Sequence, residues 1–146
     1  DGPDKNCLEN ECKHLGIDDI VQFIGFVSET DLPLFYNALD LFVLCTEEQL
    51  EERRVEGFGL VFLEAQSCGV PVIGTRTGGI PDAVKENNGG FLINSNQYHE
   101  LKNHIIKLAT TPIFLKEIGE KARRRVLKEA TLELYFKNLN QTIESI

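Results

Sequence analysis

Glu56-Gly57-Phe58-Gly59-Leu60-Val61-Phe62-Leu63-Glu64-Ala65 is the stretch around which this chain is organised. A Gly-Phe-Gly turn runs into an apolar segment with good helix formers, so it reads as a loop entering a helix. Before it, Leu41 to Cys45 is apolar at every position, which suits a strand covered on both faces. After it, Gly69 stops the helix and Val70-Pro71-Val72-Ile73 reads as the next strand. Pro71 lies near that strand's start, where a missing N–H is tolerated. Strand, loop, helix and strand in this order make the repeating unit of a parallel α/β sheet.

The chemistry of the stretch follows from its geometry. A helix start leaves backbone N–H groups unpaired and carries partial positive charge, so it can hold a phosphate. Gly57 and Gly59 have no Cβ, so a ligand could approach their backbone closely. Glu64 falls in the helix's second turn, where a carboxylate can accept from two neighbouring hydroxyls such as those of a ribose. Glu56 stands beside the turn, either as part of this set or as the end of the acidic loop before it. Phosphate plus diol suits a sugar nucleotide.

Working outward, Asp4 is expected to cap a helix running to about Leu15, with Gly16 as its stop. Ile20 to Ile24 reads as a short buried strand, and Ser28 as a cap for a helix marked by Leu32, Leu34, Phe35, Ala38 and Leu39, with Pro33 in its first turn. Thr46 to Val55 crowds Glu47, Glu48, Glu51, Glu52, Arg53 and Arg54 together. It reads as an exposed loop or loose helical turn, either a mobile flap or a plain solvated insertion. Gly74 to Gly79 is a polar loop at a strand's C-terminal end, the edge where open α/β sheets bind ligands. Gly78 and Gly79 fit that role or a plain turn. Ile80 to Val84 reads as a short helix with Pro81 in its first turn. Asn87 to Gly90 reads as a turn, and Phe91-Leu92-Ile93 as a fourth strand. Three helices close the chain: one marked by Leu101, Ile105 and Leu108, one by Leu115, Ile118, Ala122 and Val126, and one capped by Thr131 and striped by Leu132, Phe136, Leu139, Ile143 and Ile146.

Composition narrows the partners. At 146 residues the chain is one domain with room for a core, and its net charge of −8 argues against nucleic acid or an anionic membrane surface. The basic cluster Lys121, Arg123, Arg124, Arg125 and Lys128 reads as the solvated face of a helix. His14, His99 and His104 read as surface residues. Cys7, Cys12, Cys45 and Cys68 show no metal spacing, and Cys45 and Cys68 read as buried thiols of a reducing, cytoplasmic compartment. No apolar run reaches transmembrane length.

Several segments together resemble the C-terminal domain of group 1 (family 4) retaining glycosyltransferases of the GT-B fold. Val21 to Val27 is similar to that family's V-x-F-x-G-F-V strand, and Leu32 to Val43 to its L-P-x-x-Y-x-x-A-D-x-F-V segment. Glu56 to Glu64 resembles its E-x7-E motif, Cys68 to Ile73 its C-G-V-P-V-I, and Gly78 to Val84 its G-G-I-P-[ED]-x-V. The resemblance covers nearly the whole chain in the family's order. It implies a Rossmann-like parallel sheet with helices on both faces, the C-terminal half of a GT-B fold.

The resemblance also implies roles. Glu56 would be the catalytic-site glutamate that contacts the donor sugar's hydroxyls. The amides of Gly57, Phe58, Gly59 and Leu60 would hold sugar and diphosphate, Glu64 the ribose, and Thr75, Gly78 and Gly79 would border the nucleotide pocket. The donor would be a nucleoside-diphosphate sugar, with no other cofactor and no metal. The sequence contains no Asp-x-Asp, in keeping with that expectation.

Departures from the family pattern are as informative. The family's leading strand ends in Gly-Arg, followed by Lys-Gly, and that Arg and Lys neutralise the departing diphosphate; both are absent here. Asp1-Gly2-Pro3 resembles the G-D-G-P that follows the domain's second strand. Residues 1–146 are therefore expected to be a single truncated nucleotide-sugar-binding domain, with C-terminal helices over about 97–146. The acceptor, a sugar or lipid, would be held by a missing N-terminal domain, and the full-length protein could lie at the inner face of the membrane. Sheet edges left open could pair two chains as a dimer. The alternatives are a non-catalytic nucleotide-sugar-binding or interaction module and, more distantly, a sugar-nucleotide epimerase.

Overall fold

The computed structural model describes residues 2–46 and 57–145. Glu56 and all of the acidic segment after Thr46 lie outside the described residues. The chain forms two compact units, Asp1–Phe35 and Tyr36–Ile146.

In the first unit, α1 (Lys5–Leu15) stops at Gly16, whose left-handed φ of 66° lets its N–H reach the carbonyls of Cys12 and Lys13. Asp4 precedes α1, but its side chain makes no capping bond. Ile20 to Ile24 is not a strand. The amides of Ile20 and Val21 both turn back to the Ile17 carbonyl, and no described strand pairs with this segment. A β-strand exists only where a neighbour completes its ladder, so an apolar run is not enough. Ser28 does cap the next turn: its Oγ accepts from the Asp31 amide at 3.2 Å, just before α2 (Leu32–Asn37).

The second unit is built on a parallel sheet ordered β1 (Phe42–Leu44), β2 (Val72–Thr75), β3 (Gly90–Ile93), with β2 in the centre. The register sets Phe42 against Val72, and Ile73 against Phe91. Alternate side chains point to opposite faces. Ile73, Phe91 and Ile93 share one face and pack with Leu108 and Ile118, from α5 (Tyr98–Thr110) and α6 (Pro112–Glu129). The other face meets Phe62 and Ile80, carried by α3 (Leu60–Ser67) and α4 (Ile80–Ala83). Helices thus cover both faces, as the apolar strands require. β2 is buried at every position for the same reason.

α6 begins with Pro112 in its first turn, where no N–H is needed. Thr131 caps α7 (Leu132–Glu144), its hydroxyl accepting from the Leu134 amide at 3.3 Å. The apolar stripe of α7 buries no residue. Among the described residues, no helix is long and apolar enough to cross a membrane.

Four residue assignments differ from the sequence reading: Cys68 is half-buried rather than buried, His104 is half-buried with its ring centroid 4.6 Å from that of Phe91, and Cys45 and Arg125 differ more. Cys45 is exposed, because the strand ends at Leu44 before the thiol is reached. Arg125 does not share the solvated face of Lys121, Arg123, Arg124 and Lys128. It is 5 % exposed and turns inward between α3 and α4. Its Nη2 donates to Gln66 Oε1 at 2.8 Å and to the Ala83 carbonyl at 2.5 Å. Gln66, itself fully buried, donates to the carbonyls of Phe62 and Ala83 at 2.9 and 3.2 Å. Burial pulls the Arg125 pKa down, and Glu129 opposes it. This network joins three helices through carbonyls, with no carboxylate among its hydrogen-bonded partners. Gln66→Leu, which leaves the guanidinium with a single carbonyl, is expected to cost about 3–5 kcal/mol. Arg125→Met, which orphans one amide oxygen, is expected to cost about 1–3 kcal/mol. The double variant should lose less than the sum in urea denaturation.

Candidate active site

α3 sets the geometry. Its N-cap is Gly59, with φ 75°, a left-handed conformation that side-chain-bearing residues adopt only under strain. A Cβ here would also lie 2.7 Å from Phe62 Cδ2. Phe62 is fully buried beneath the turn. Phe42 meets it edge-on at 5.6 Å between centroids, and Tyr36 meets Phe42 in the same way at 5.9 Å. Three aromatic rings therefore run from beneath the turn to the buried side chain of Tyr36.

A second loop is fastened to the turn. The Gly79 N–H donates to the Gly57 carbonyl at 2.9 Å. A Cβ on Gly79 would overlap that same oxygen and stand 3.0 Å from Phe58 Cα. Backbone lies directly on backbone, and only glycine fits. The Gly78–Gly79 pair and the Gly57–Leu60 turn thus form one surface.

The first described backbone bond of α3 runs from the Phe62 N–H to the Gly59 carbonyl, at 3.0 Å. Among the described residues, the amides of Phe58, Gly59, Leu60 and Val61 donate to no acceptor. With the side chains of Phe58 and Leu60 exposed, this is an open helix start carrying partial positive charge. Leu60 and Glu64 are one turn apart and lie on the same side of the helix. Glu64 is exposed, not enclosed by the apolar run around it. Its Oε2 accepts a hydrogen bond from the Tyr36 hydroxyl at 3.0 Å. Burial, and then this bond, push the Tyr36 pKa up to about 12.

At the C-terminal ends of β1 and β2 the hydroxyls of Thr46, Thr75 and Thr77 stand 3.0, 3.1 and 3.2 Å from one another. The Thr75 hydroxyl donates to the Thr46 carbonyl at 2.8 Å and accepts the Thr46 amide at 3.1 Å. Next to it, Arg76 pairs with Glu86 at 2.6 Å on the surface. Among the described residues no group of His, Cys, Asp and Glu could hold a metal ion.

The sequence model of the glycosyl transferases group 1 family matches residues 1–125. The chain belongs to this family. It is 33 % identical over 129 residues to N-acetyl-alpha-D-glucosaminyl L-malate synthase of Bacillus anthracis, covering 88 % of this chain and 32 % of that protein. It is 34 % identical over 115 residues to D-inositol 3-phosphate glycosyltransferase 2 of Catenulispora acidiphila, covering 79 % of this chain and 25 % of that protein. The crystal structure of Anabaena Alr3699/HepE in complex with UDP superposes with a TM-score of 0.84 at 26 % identity, over 97 % of this chain and 36 % of that one. The chain spans between a quarter and a third of the length of these two relatives.

In this group 1 glycosyltransferase domain, then, Gly57, Phe58, Gly59, Leu60, Gly78 and Gly79 come together around one helix start, with Glu64 a turn beyond. Thr75 is buried, its hydroxyl engaged by Thr46 and Thr77. Sequence reasoning did not single out Tyr36, Thr46, Thr77 or Gln66. Tyr36 carried the clearer signal, since it stands in the Leu32 to Val43 segment that resembles the family's. Gln66 carried a fainter one, an amide inside an apolar helix.

Tyr36 makes stability depend on alkaline pH. Its folded pKa lies above its unfolded value near 10, so this contribution is complete below pH 10 and is lost as pH rises towards about 12. Melting temperatures recorded from pH 9 to 12 should fall less steeply in Tyr36→Phe than in the unsubstituted chain. Gly79→Ala is expected to push the Gly57 loop away. Amide exchange at residue 79, whose N–H donates to the Gly57 carbonyl, should then accelerate by at least about tenfold, with core amides unchanged, as in other openings confined to one segment.

Proposed function

We propose that this chain is the donor-nucleotide-binding part of a retaining glycosyltransferase, which moves a sugar from a nucleoside diphosphate to an acceptor hydroxyl. The observation that carries the reading is the open start of α3, four amides without an acceptor among the described residues and Glu64 one turn on. Family membership and the UDP held by the Anabaena relative support it.

On this reading the Gly57–Leu60 amides receive the sugar and diphosphate, Glu64 takes the ribose hydroxyls, and Glu56 takes hydroxyls of the donor sugar. The anomeric C–O bond to the diphosphate breaks, and its electrons pass to the leaving phosphate oxygen. Fixed N–H dipoles stabilise that growing charge without having to reorganise. The acceptor oxygen bonds to the anomeric carbon from the leaving-group side and gives its proton to the departing diphosphate. Configuration is retained with no covalent intermediate. A cytoplasmic setting for the full-length protein is part of this reading. The full-length protein would hold the acceptor sugar or lipid with residues beyond this chain, so this chain alone should turn over little or no donor.

Calorimetric titration with UDP, GDP and ADP tests the reading. At least one should bind, and Glu64→Ala should weaken it by about tenfold or more, the worth of a charge-assisted pair of hydrogen bonds. Binding that is indifferent to Glu64→Ala, or no binding at all, would favour an interaction module instead.

A further inference from the structure

We propose that Tyr36 is the positioning residue for Glu64, holding its carboxylate so that the site prefers a ribose diol to a 2′-deoxyribose. The inference rests on the nucleotide reading above and adds to it the residue that makes ribose recognition selective.

Glu64 stands on an exposed helix face, and a glutamate there has three side-chain torsions to fix. A carboxylate free to sample them would meet a diol in the right orientation only part of the time. The Tyr36 hydroxyl at 3.0 Å from Oε2 removes that freedom. Tyr36 is itself packed in place: it is 6 % exposed and meets Phe42 edge-on. Phe42 in turn packs on Phe62, the ring beneath Gly59. One aromatic column therefore supports the amide turn at one end and orients Glu64 at the other. The spacing between a phosphate on those amides and a sugar on that carboxylate is built into the core.

The hydrogen-bond count suits a diol. Tyrosine has a single O–H, and here it is given to Oε2. An ionised carboxylate has about four acceptor positions, so both lone pairs of Oε1 and one of Oε2 remain available. A 2′,3′-diol offers two donors to them, whereas a 2′-deoxyribose offers one. A tyrosine hydroxyl is protonated throughout the neutral range even at its ordinary pKa near 10, so the Tyr36 O–H stays a donor there.

The test compares ribo- and 2′-deoxyribonucleoside diphosphates in the 146-residue chain. UDP, GDP and ADP are titrated first, then the 2′-deoxy form of whichever binds. The unsubstituted chain should prefer the ribo form by about tenfold, the worth of one hydrogen bond to a charged group. Tyr36→Phe, which keeps the ring and its packing, should reduce that preference to about threefold or less, weakening the ribo form more than the deoxy form. Glu64→Gln should lose the preference as well, and adding Tyr36→Phe to it should change nothing further. A preference untouched by Tyr36→Phe would overturn the inference while leaving the nucleotide reading intact. So would an equal loss for ribo and deoxy forms, the mark of a purely structural tyrosine. Nucleotide binding with no ribose preference in the unsubstituted chain would overturn the ribose role of Glu64 and this inference together. No binding of any of the three would overturn the nucleotide reading itself, and the inference with it.

Discussion

The hydrogen bond from the Gly79 N–H to the Gly57 carbonyl is the contact on which the site depends. It brings two loops from different βα connections together backbone to backbone, and a side chain at Gly79 would force them apart. With Gly57 held from above and Phe62 packed from below, the chain enters α3 through the left-handed Gly59. That entry leaves the first amides of α3 facing outward. A side-chain cap would have answered one of them; among the described residues no side chain caps this helix. The protein thus keeps an anion-attracting helix end open where most helices would close it.

The short helix α4 carries this constraint back into the core. At one end Gly79 is tied to Gly57; at the other, the Ala83 carbonyl accepts from both Gln66 and Arg125. A four-residue helix has almost no stability of its own. Its position is therefore set by those end contacts and by Ile80, which is fully buried. The threonine cluster does the same at the ends of β1 and β2, where no regular ladder continues. Buried polar groups in this domain thus cluster where loops must keep a fixed separation, and the apolar core of Ile73, Phe91, Ile93, Leu108 and Ile118 supplies the bulk of the packing.

Much of the fold was legible in the residues because the signals were local. Continuous apolar runs marked β1, β2 and β3, with β2 shifted two residues later than expected because Pro71 donates no N–H and the ladder starts at Val72. Gly16, Gly69, Pro81 and Thr131 marked helix ends through backbone chemistry that needs no partner from elsewhere. The segment from Ile20 to Ile24 failed for the opposite reason: its composition suited a strand, but strand formation depends on a neighbour. Arg125 was only half readable. Four of the cluster's five basic residues face solvent, and helical spacing sets the fifth, three residues after Ala122 and seven after Ile118, on the apolar stripe; what could not be read locally is that Gln66 and the Ala83 carbonyl wait there to receive it.

By itself the sequence determined the α/β alternation, the loop-to-helix entrance at Gly57 to Leu60 and the set of residues able to serve a phosphate and a diol, since these follow from side-chain type and spacing along one strand or helix. Only the tertiary structure decided that Gly79 sits on Gly57, that Tyr36 holds Glu64 across 28 residues of chain, and that Thr75 turns its hydroxyl to Thr46. Those choices belong to pairs of residues distant in sequence, and a hydrogen bond between such residues exists only once packing has brought donor and acceptor within about 3 Å.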